Sequence, residues 1–190
     1  MAVSESLLAF PTFALNLRPP FLDAAEAGRE RISTTDQRQI NMAIQAPDLT
    51  HRPPRSARCR LGGYVILPRM LDKGRATLVG KNGEYHYNCP LDEHFTTYTG
   101  IDADQLKEQL ATGKGDGEIL EWILATRKNK HGQHEINAWS DYQDYRGTSD
   151  TEGREYFHDY HVKLAPKRED VSSWFDVLDI DDFVSFGGKA

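Results

Sequence analysis

The chain has 190 residues, a formal net charge of −6, and 38 % hydrophobic and 10 % aromatic residues. This length and aromatic content suit one compact domain and exclude a collagen, a coiled-coil rod and a fully disordered chain. The apolar runs are only a few residues long, far short of the roughly 20 residues that a membrane-spanning helix needs.

The first part of the chain differs from the rest. Residues 1–41 contain three prolines but no His, Trp or Tyr, and Met42 opens a stretch that resembles a fresh start. We expect residues 1–47 to form an N-terminal extension that is poorly ordered or lies upstream of the true start at Met42. A short helix packed on the domain is the alternative. Residues 48–190 are predicted to form a single helical domain.

Cysteine content and the first residues indicate a reducing compartment. Cys59 and Cys89 are too few for a disulfide framework or a four-thiolate metal site. The apolar stretch at residues 7–15 has no Lys or Arg before it, unlike a secretory signal, and five acids in residues 1–41 argue against a transit peptide. We therefore expect a cytoplasmic protein.

An arginine-rich arm follows at residues 48–63. Its arginines are Arg52, Arg55, Arg58 and Arg60. Residues 51–75 hold seven Lys or Arg and one acid, a local charge of +6, whereas residues 169–182 hold six acids and no base. We expect the arm and this acidic tail to pair with each other. A nucleic-acid-associated protein that binds through the Arg52–Arg60 arm is the alternative, although no known nucleic-acid-binding motif is present.

From Tyr64 onward the hydrophobic spacing is typical of helices. Apolar residues at helical spacing predict a first helix that has Pro68 in its first turn and ends at Gly80. Asn82-Gly83 predicts a turn, so a hairpin that pairs residues 77–79 with 84–87 is an alternative for this region.

Further helices are predicted by caps and apolar stripes along the rest of the chain. They begin or are centred at Pro90, Asp102, Asp116, Ile136, Asp150 and Val171, and Asp102 and Asp116 are the predicted N-caps of their helices. The loops between them are short, which favours antiparallel packing. The fold class is therefore mainly α, a compact multi-helix domain with at most one small β-hairpin. Each tryptophan lies on an apolar stripe, so Trp122, Trp139 and Trp174 are expected to be largely buried.

Several segments resemble a known bacterial family. They are residues 67–76 (LPRMLDKGRA), 83–86 (GEYH), 89–92 (CPLD) and 116–122 (DGEILEW), with an ending that runs from Trp174-Phe175-Asp176 to Asp181-Asp182. Over residues 48–184 they are similar to the bacterial domain of unknown function 5069. The resemblance implies one domain, a bacterial source and a start near Met42, and it implies no activity.

The densest polar cluster lies on the first predicted helix. Arg69, Asp72 and Lys73 fall at i, i+3 and i+4 and share one face, and Arg75 is nearby. Asp72 could hold Arg69 while the other cations bind a carboxylate or phosphate. The proposed ligand-binding residues are this cluster with Tyr85 and Tyr87, and the ligand is a small anion or a protein partner. The alternatives are a solvated face, or an Arg69 that is bonded to the acidic tail.

Cys89 is the plausible nucleophile of the sequence. It precedes Pro90, which suits the first position of a helix, and a thiol at a helix N-terminus is activated by the backbone N–H groups. His86 is close enough in sequence to act as the base. A thiol-dependent enzyme that uses Cys89 with His86 is therefore the rival to ligand binding, and ordinary packing of the cysteine is the third possibility.

Two histidine pairs have the i, i+3 spacing of metal ligands. They are His131 with His134, and His158 with His161; Glu155 and His158 form a single Glu-x-x-His motif. A di-iron bundle needs two such motifs and two more glutamates. We therefore expect no metal and no cofactor.

Overall fold

The computed structural model describes residues 44–190, and the extension predicted for residues 1–47 lies outside the described residues except for its last four, 44–47. Seven helices form within this part of the chain: α1 (Leu67–Leu78), α2 (Pro90–Thr99), α3 (Ala103–Ala111), α4 (Asp116–Thr126), α5 (Gln133–Tyr145), α6 (Thr151–Leu164) and α7 (Trp174–Ser185). Its only β-type pairing is an isolated antiparallel bridge between Leu61 and Tyr64. The predicted mainly α fold is confirmed, and the alternative hairpin after α1 is absent from the described residues.

Helix α1 lies at the centre of the domain. All ten residues from Leu67 to Ala76 are buried, which is unusual because four of them are charged. Helices α2 and α3 pack on α1, and α7 packs on α5 and α6. Pro68 fits the first turn of α1, where its missing N–H costs no hydrogen bond. Gly80 follows the end of the helix in the left-handed conformation with φ +70°.

The fully buried part of the hydrophobic core consists of tyrosine, phenylalanine and aliphatic side chains. The large side chains that are fully buried include Tyr64, Phe95 and Phe175, and the Tyr64 and Phe95 rings meet edge to face with centroids 5.4 Å apart. The three tryptophans, which the sequence predicts to be largely buried, lie at the edge of this core: each is partly buried, and Trp122 and Trp139 pack against it.

Local caps fix where most helices begin. The carboxylates of Asp102 and Asp150 accept backbone N–H groups at the starts of α3 and α6, as the sequence predicts. Asp116 is not the cap of α4. The cap is Gly115, whose N–H donates to Glu118 Oε2 at 2.9 Å. Asp116 is therefore the first helical residue, and its carboxylate is free to bind two arginines.

The segment between α1 and α2 is pressed against α1. Asn82-Gly83 forms the predicted turn, with the Tyr85 N–H donating to the Asn82 carbonyl at 3.0 Å. Gly74 makes the close approach possible, since a Cβ there would lie 3.0 Å from Tyr87 Cε2 and 2.5 Å from the Leu110 side chain. The Tyr87 hydroxyl then donates to the Ala103 carbonyl at 2.7 Å. This packing carries the chain onto α1 just before Cys89.

Between residues 44 and 190, none of the helices combines the length and the apolar character that crossing a bilayer requires.

Candidate functional site

The charged face of α1 is buried rather than solvated. Arg69, Asp72, Lys73 and Arg75 are only 2–8 % exposed. A buried charge is tolerated only when it is paired and hydrogen-bonded, so each of these four side chains has a specific partner from another part of the chain.

Arg69 is bound at both prongs of its guanidinium by one carboxylate. Its Nη1 donates to Asp182 Oδ2 at 2.6 Å and its Nη2 donates to Asp182 Oδ1 at 3.0 Å. Nη1 also donates to the Arg55 carbonyl at 3.2 Å. The Tyr85 ring lies 5.4 Å from the guanidinium carbon, and its hydroxyl donates to Asp182 Oδ1 at 2.8 Å. Arg69 and Tyr85, two of the six residues predicted to bind a ligand, instead hold α7 against α1.

The electrostatics of this contact follow from burial and charge. Burial alone lowers the pKa of Arg69, but the hydrogen bonds and charge of Asp182 outweigh it, and the net shift is upward. Burial and the hydrogen bond to Asp182 both raise the pKa of Tyr85. The guanidinium stays charged and the phenol stays neutral at ordinary pH.

The helical spacing predicts that Asp72 holds Arg69, and this prediction is wrong. Asp72 instead binds Arg55, which comes from the arm. Arg55 donates to Asp72 Oδ2 from Nε at 2.9 Å and to Asp72 Oδ1 from Nη2 at 2.8 Å. Arg55 also donates to Asp116 Oδ2 at 2.7 Å, and Arg75 donates to Asp116 Oδ1 at 2.6 Å. Asp116 therefore bridges the arm and α1.

Asp116 should make stability depend on acid pH. Burial raises its pKa, but hydrogen bonds from Arg55 and Arg75 outweigh this and hold it below the ordinary value of 3.8. Because the folded pKa is the lower one, the stabilisation is complete above the unfolded value and is lost as the pH falls through the folded one. We expect Asp116→Asn to cost about 1–2 kcal/mol at neutral pH, a modest figure because solvent screens Arg55. Urea unfolding from pH 7 to pH 3 checks this, and a difference that stays constant below pH 3.8 would contradict it.

Two more arginines of the arm, Arg58 and Arg60, also face carboxylates, whereas Arg52 is exposed and forms no ion pair within the described residues. Arg58 contacts Asp144, Asp176 and Asp179, and its guanidinium lies 5.8 Å from the centre of the Phe175 ring. Arg60 donates to Asp141 at 2.6 Å. The expected pairing between arm and tail is present in the Arg58 contacts with Asp176 and Asp179.

Cys89 lies beside a buried lysine. Lys73 Nζ is 3.1 Å from Cys89 Sγ and 2.8 Å from Asp92 Oδ1. The Lys73 and Asp92 side chains are 3 % and 0 % exposed, whereas Cys89 is only half-buried. Lys73 therefore joins a fully buried carboxylate to a thiol that solvent can reach.

The Asp92 carboxylate contacts both the Lys73 amine and the backbone just before Cys89. Its Oδ2 accepts the Asn88 N–H at 2.9 Å, which fixes the chain at a residue with φ +58°, a conformation that asparagine tolerates better than most residues. Burial raises the pKa of Asp92, and the charge of Lys73 opposes that rise. Asp92 thus positions Cys89 at the cap of α2 and keeps the Lys73 amine beside the sulfur.

His86 is exposed, and the polar group that contacts the Cys89 sulfur is Lys73 instead. The sequence suggested His86 because it lies only three residues from Cys89 along the chain. The structure brings Lys73 close from α1, sixteen residues away.

An open cleft of about 360 Å³ begins at the residue after Cys89. It is lined by Pro90, Glu93, His94, Thr97, Tyr98 and Trp139. The Tyr98 ring stacks on Trp139 and on His131 with centroid distances of 4.5 and 4.1 Å. Burial and the charge of Arg146 lower the pKa of His94. The lining of the cleft therefore combines aromatic and polar side chains.

The histidine pairs form no metal centre in the described residues. Across residues 44–190, no group of three or more His, Cys, Asp or Glu side chains is arranged to hold a metal ion. His131 instead stacks on Tyr98, and Phe157 lies near His161 with ring centroids 6.5 Å apart.

Comparison with protein families agrees with this fold. The family model described as domain of unknown function DUF5069 matches residues 51–184. The chain belongs to the DUF5069 family. This segment of the DUF5069 domain contains α1 to α6 with nearly all of α7, and hence every charged contact described above. No curated protein matches the chain.

Sequence reasoning missed several partners that complete the site. They are Arg55, Asp92 and Asp116. Asp182 was not missed, because it lies in the acidic tail that the sequence offered as the alternative partner of Arg69, and the structure shows that pairing. Two signals were present: the opposed charges of the arm and tail, and the four charges packed into ten residues of an otherwise apolar helix. The pairing itself depends on tertiary contacts.

Proposed function

We propose that this DUF5069 protein is a thiol-dependent catalyst in which Cys89 is the nucleophile and Lys73 supplies the proton to the leaving group. The observation that carries the proposal is the 3.1 Å contact between Lys73 Nζ and Cys89 Sγ. A neighbouring positive charge favours the thiolate, which is the reactive form of cysteine. The position at the start of α2 adds the partial positive charge of a helix N-terminus.

The arrangement favours a small electrophile whose leaving group needs a proton. The Cys89 sulfur attacks, the bond to the leaving group breaks, and the Lys73 ammonium protonates that group as it departs. A hydroperoxide fits this scheme, since attack on one oxygen gives a sulfenic acid and releases a hydroxide or alkoxide. Asp92 is a positioning residue that holds the amine and the Asn88 turn.

The arginine face supports anion binding less well. Both Nη groups of Arg69 already donate hydrogen bonds to Asp182. Arg75 donates to Asp116 and to the Lys114 carbonyl. A ligand would have to displace buried carboxylates. Nucleic-acid binding by the arm is supported no better, because Arg55, Arg58 and Arg60 all face acids and only Arg52 is exposed without an ion pair among the described residues. Two free cysteines, one of them exposed, suit the reducing cytoplasm of a bacterium.

Turnover of peroxide in the presence of dithiothreitol tests the function. We expect the full chain to consume hydrogen peroxide or an organic hydroperoxide faster than dithiothreitol alone, and Cys89→Ser to fall to that background. Cys59→Ser is the matched control because it removes the other thiol, which is exposed and lies in the arm; it should retain turnover. Turnover that survives in Cys89→Ser would overturn the proposal. A loss in His86→Ala as large as in Cys89→Ser would assign the base to His86 instead.

A further inference from the structure

The Lys73 side chain brings an amine nitrogen, a potential nucleophile, into contact with the Cys89 sulfur. It lies 3.1 Å from the sulfur, and its own side chain is only 3 % exposed. Helix α1 and the Asp92 carboxylate hold it in place. Both cysteines are free, and Cys59 is exposed on the arm, where it neighbours Arg58 and Arg60 in sequence. An oxidised Cys89 sulfur would therefore meet an amine before it meets a second thiol.

We propose that oxidation of Cys89 by a hydroperoxide links its sulfur covalently to the Lys73 nitrogen. The inference rests on the reactive thiol of the proposed function and adds a regulatory state to the same site. A sulfenic acid can condense with a backbone nitrogen to form a sulfenamide, and the Lys73 amine offers a nitrogen at comparable range from the Cys89 sulfur.

The atoms and electrons balance in two steps. The Cys89 thiolate attacks hydrogen peroxide, the O–O bond breaks, and a sulfenic acid forms while the departing hydroxide takes a proton from the Lys73 ammonium to give water. The neutral amine then attacks the sulfenic sulfur, the S–O bond breaks, and a second water leaves. The peroxide is reduced by two electrons, and the Cys89–Lys73 pair is oxidised by two and loses two hydrogens as an S–N bond forms. A thiol reductant reverses the link by thiol exchange, which gives back the amine and the thiol.

Burial explains why the lysine is suited to this second role. Once Lys73 has lost its proton, the amine is neutral and no longer pairs with Asp92 as a charge. The pKa of Asp92 is already raised by burial, so the carboxyl takes up a proton readily when its counter-ion disappears. When the sulfur–nitrogen bond has formed, Lys73 and Asp92 are therefore both neutral, and no unpaired charge is left in the interior.

Mass spectrometry of the oxidised full chain tests the link. The protein is treated with equimolar hydrogen peroxide, the remaining thiols are blocked, and the protein is digested with trypsin. We expect the tryptic segments 70–75 and 82–107 to appear joined, lighter by two hydrogens than their sum, and to separate after dithiothreitol. Cys59→Ser should give the same product. Lys73→Arg, which keeps the positive charge but has no primary amine, should give none and should proceed instead to sulfinic acid.

The outcomes separate this inference from the proposed function. A Cys89 that consumes peroxide but ends as sulfinic acid, or in a disulfide with Cys59, overturns the link and leaves the thiol chemistry intact. A joined peptide pair in a protein without turnover supports the link and overturns catalysis. Joined peptides that persist in Lys73→Arg would overturn the assignment of the amine.

Discussion

Asp182→Ala is expected to lower the free energy of unfolding by about 3–5 kcal/mol, because it leaves the Arg69 guanidinium buried without a counter-ion. The side chains of the pair are 5 % and 8 % exposed, so solvent cannot replace the lost carboxylate. The variant also removes the acceptor of the Tyr85 hydroxyl. Thermal melts measure the effect, with about 2–4 °C expected for each kcal/mol in a chain of this size.

Two companions to Asp182→Ala show whether the pair itself is responsible. Arg69→Met combined with Asp182→Leu should recover most of the loss, because apolar replacement of a buried ion pair is often neutral. Arg168→Ala removes a partner from the exposed pair with Asp170 and should leave the melting temperature unchanged. A small effect of Asp182→Ala, together with a thermal shift of the wild type by phosphates or carboxylates, would favour the ligand-binding alternative for Arg69.

Asp92→Ala is the second variant expected to have a large effect, also about 3–5 kcal/mol. The variant leaves the buried Lys73 ammonium without a counter-ion, so that the Cys89 sulfur is its remaining polar contact. It also removes the acceptor for the Asn88 N–H. Urea unfolding gives the change in free energy. Lys73→Met combined with Asp92→Leu should restore stability while it removes peroxide turnover.

The Asp92 variants thus separate a structural role of the buried pair from its catalytic role. A double variant that is stable and still turns over peroxide at the wild-type rate would show that the Lys73–Asp92 pair only supports the fold. A double variant as unstable as Asp92→Ala would show that the loss arises from packing rather than from an uncompensated charge.

The positions of the helices are largely encoded in local sequence. Pro68 and Pro90 sit in first turns, Asp102 and Asp150 are caps, and Gly100 follows α2 in the left-handed conformation. Each signal acts over one or two turns of chain, so it can be read without knowledge of the tertiary structure. The error at Asp116 arose from a neighbouring glycine that serves as the cap when Glu118 supplies the acceptor.

The burial of the α1 charges could not be predicted in the same way. Charges at i, i+3 and i+4 have the same spacing on a solvated face and on a buried one. The partners that distinguish the two cases are remote, since Asp116 lies 41 residues from Arg75 and Asp182 lies 113 residues from Arg69. The same reasoning applies to the thiol: Cys89 is a candidate nucleophile from its place in the sequence, but its contact with Lys73 depends on how residues 79–89 fold back over Gly74.

Competitive alkylation of the two cysteines tests the central claim most directly. The native full chain is treated with a limiting amount of iodoacetamide at neutral pH, and modification of Cys89 and Cys59 is quantified in the same digest. The account predicts that half-buried Cys89 reacts faster than exposed Cys59, and that Lys73→Met combined with Asp92→Leu reverses this order. Preferential modification of Cys59 in the native protein, with Cys89 inert until the chain is unfolded, would contradict it.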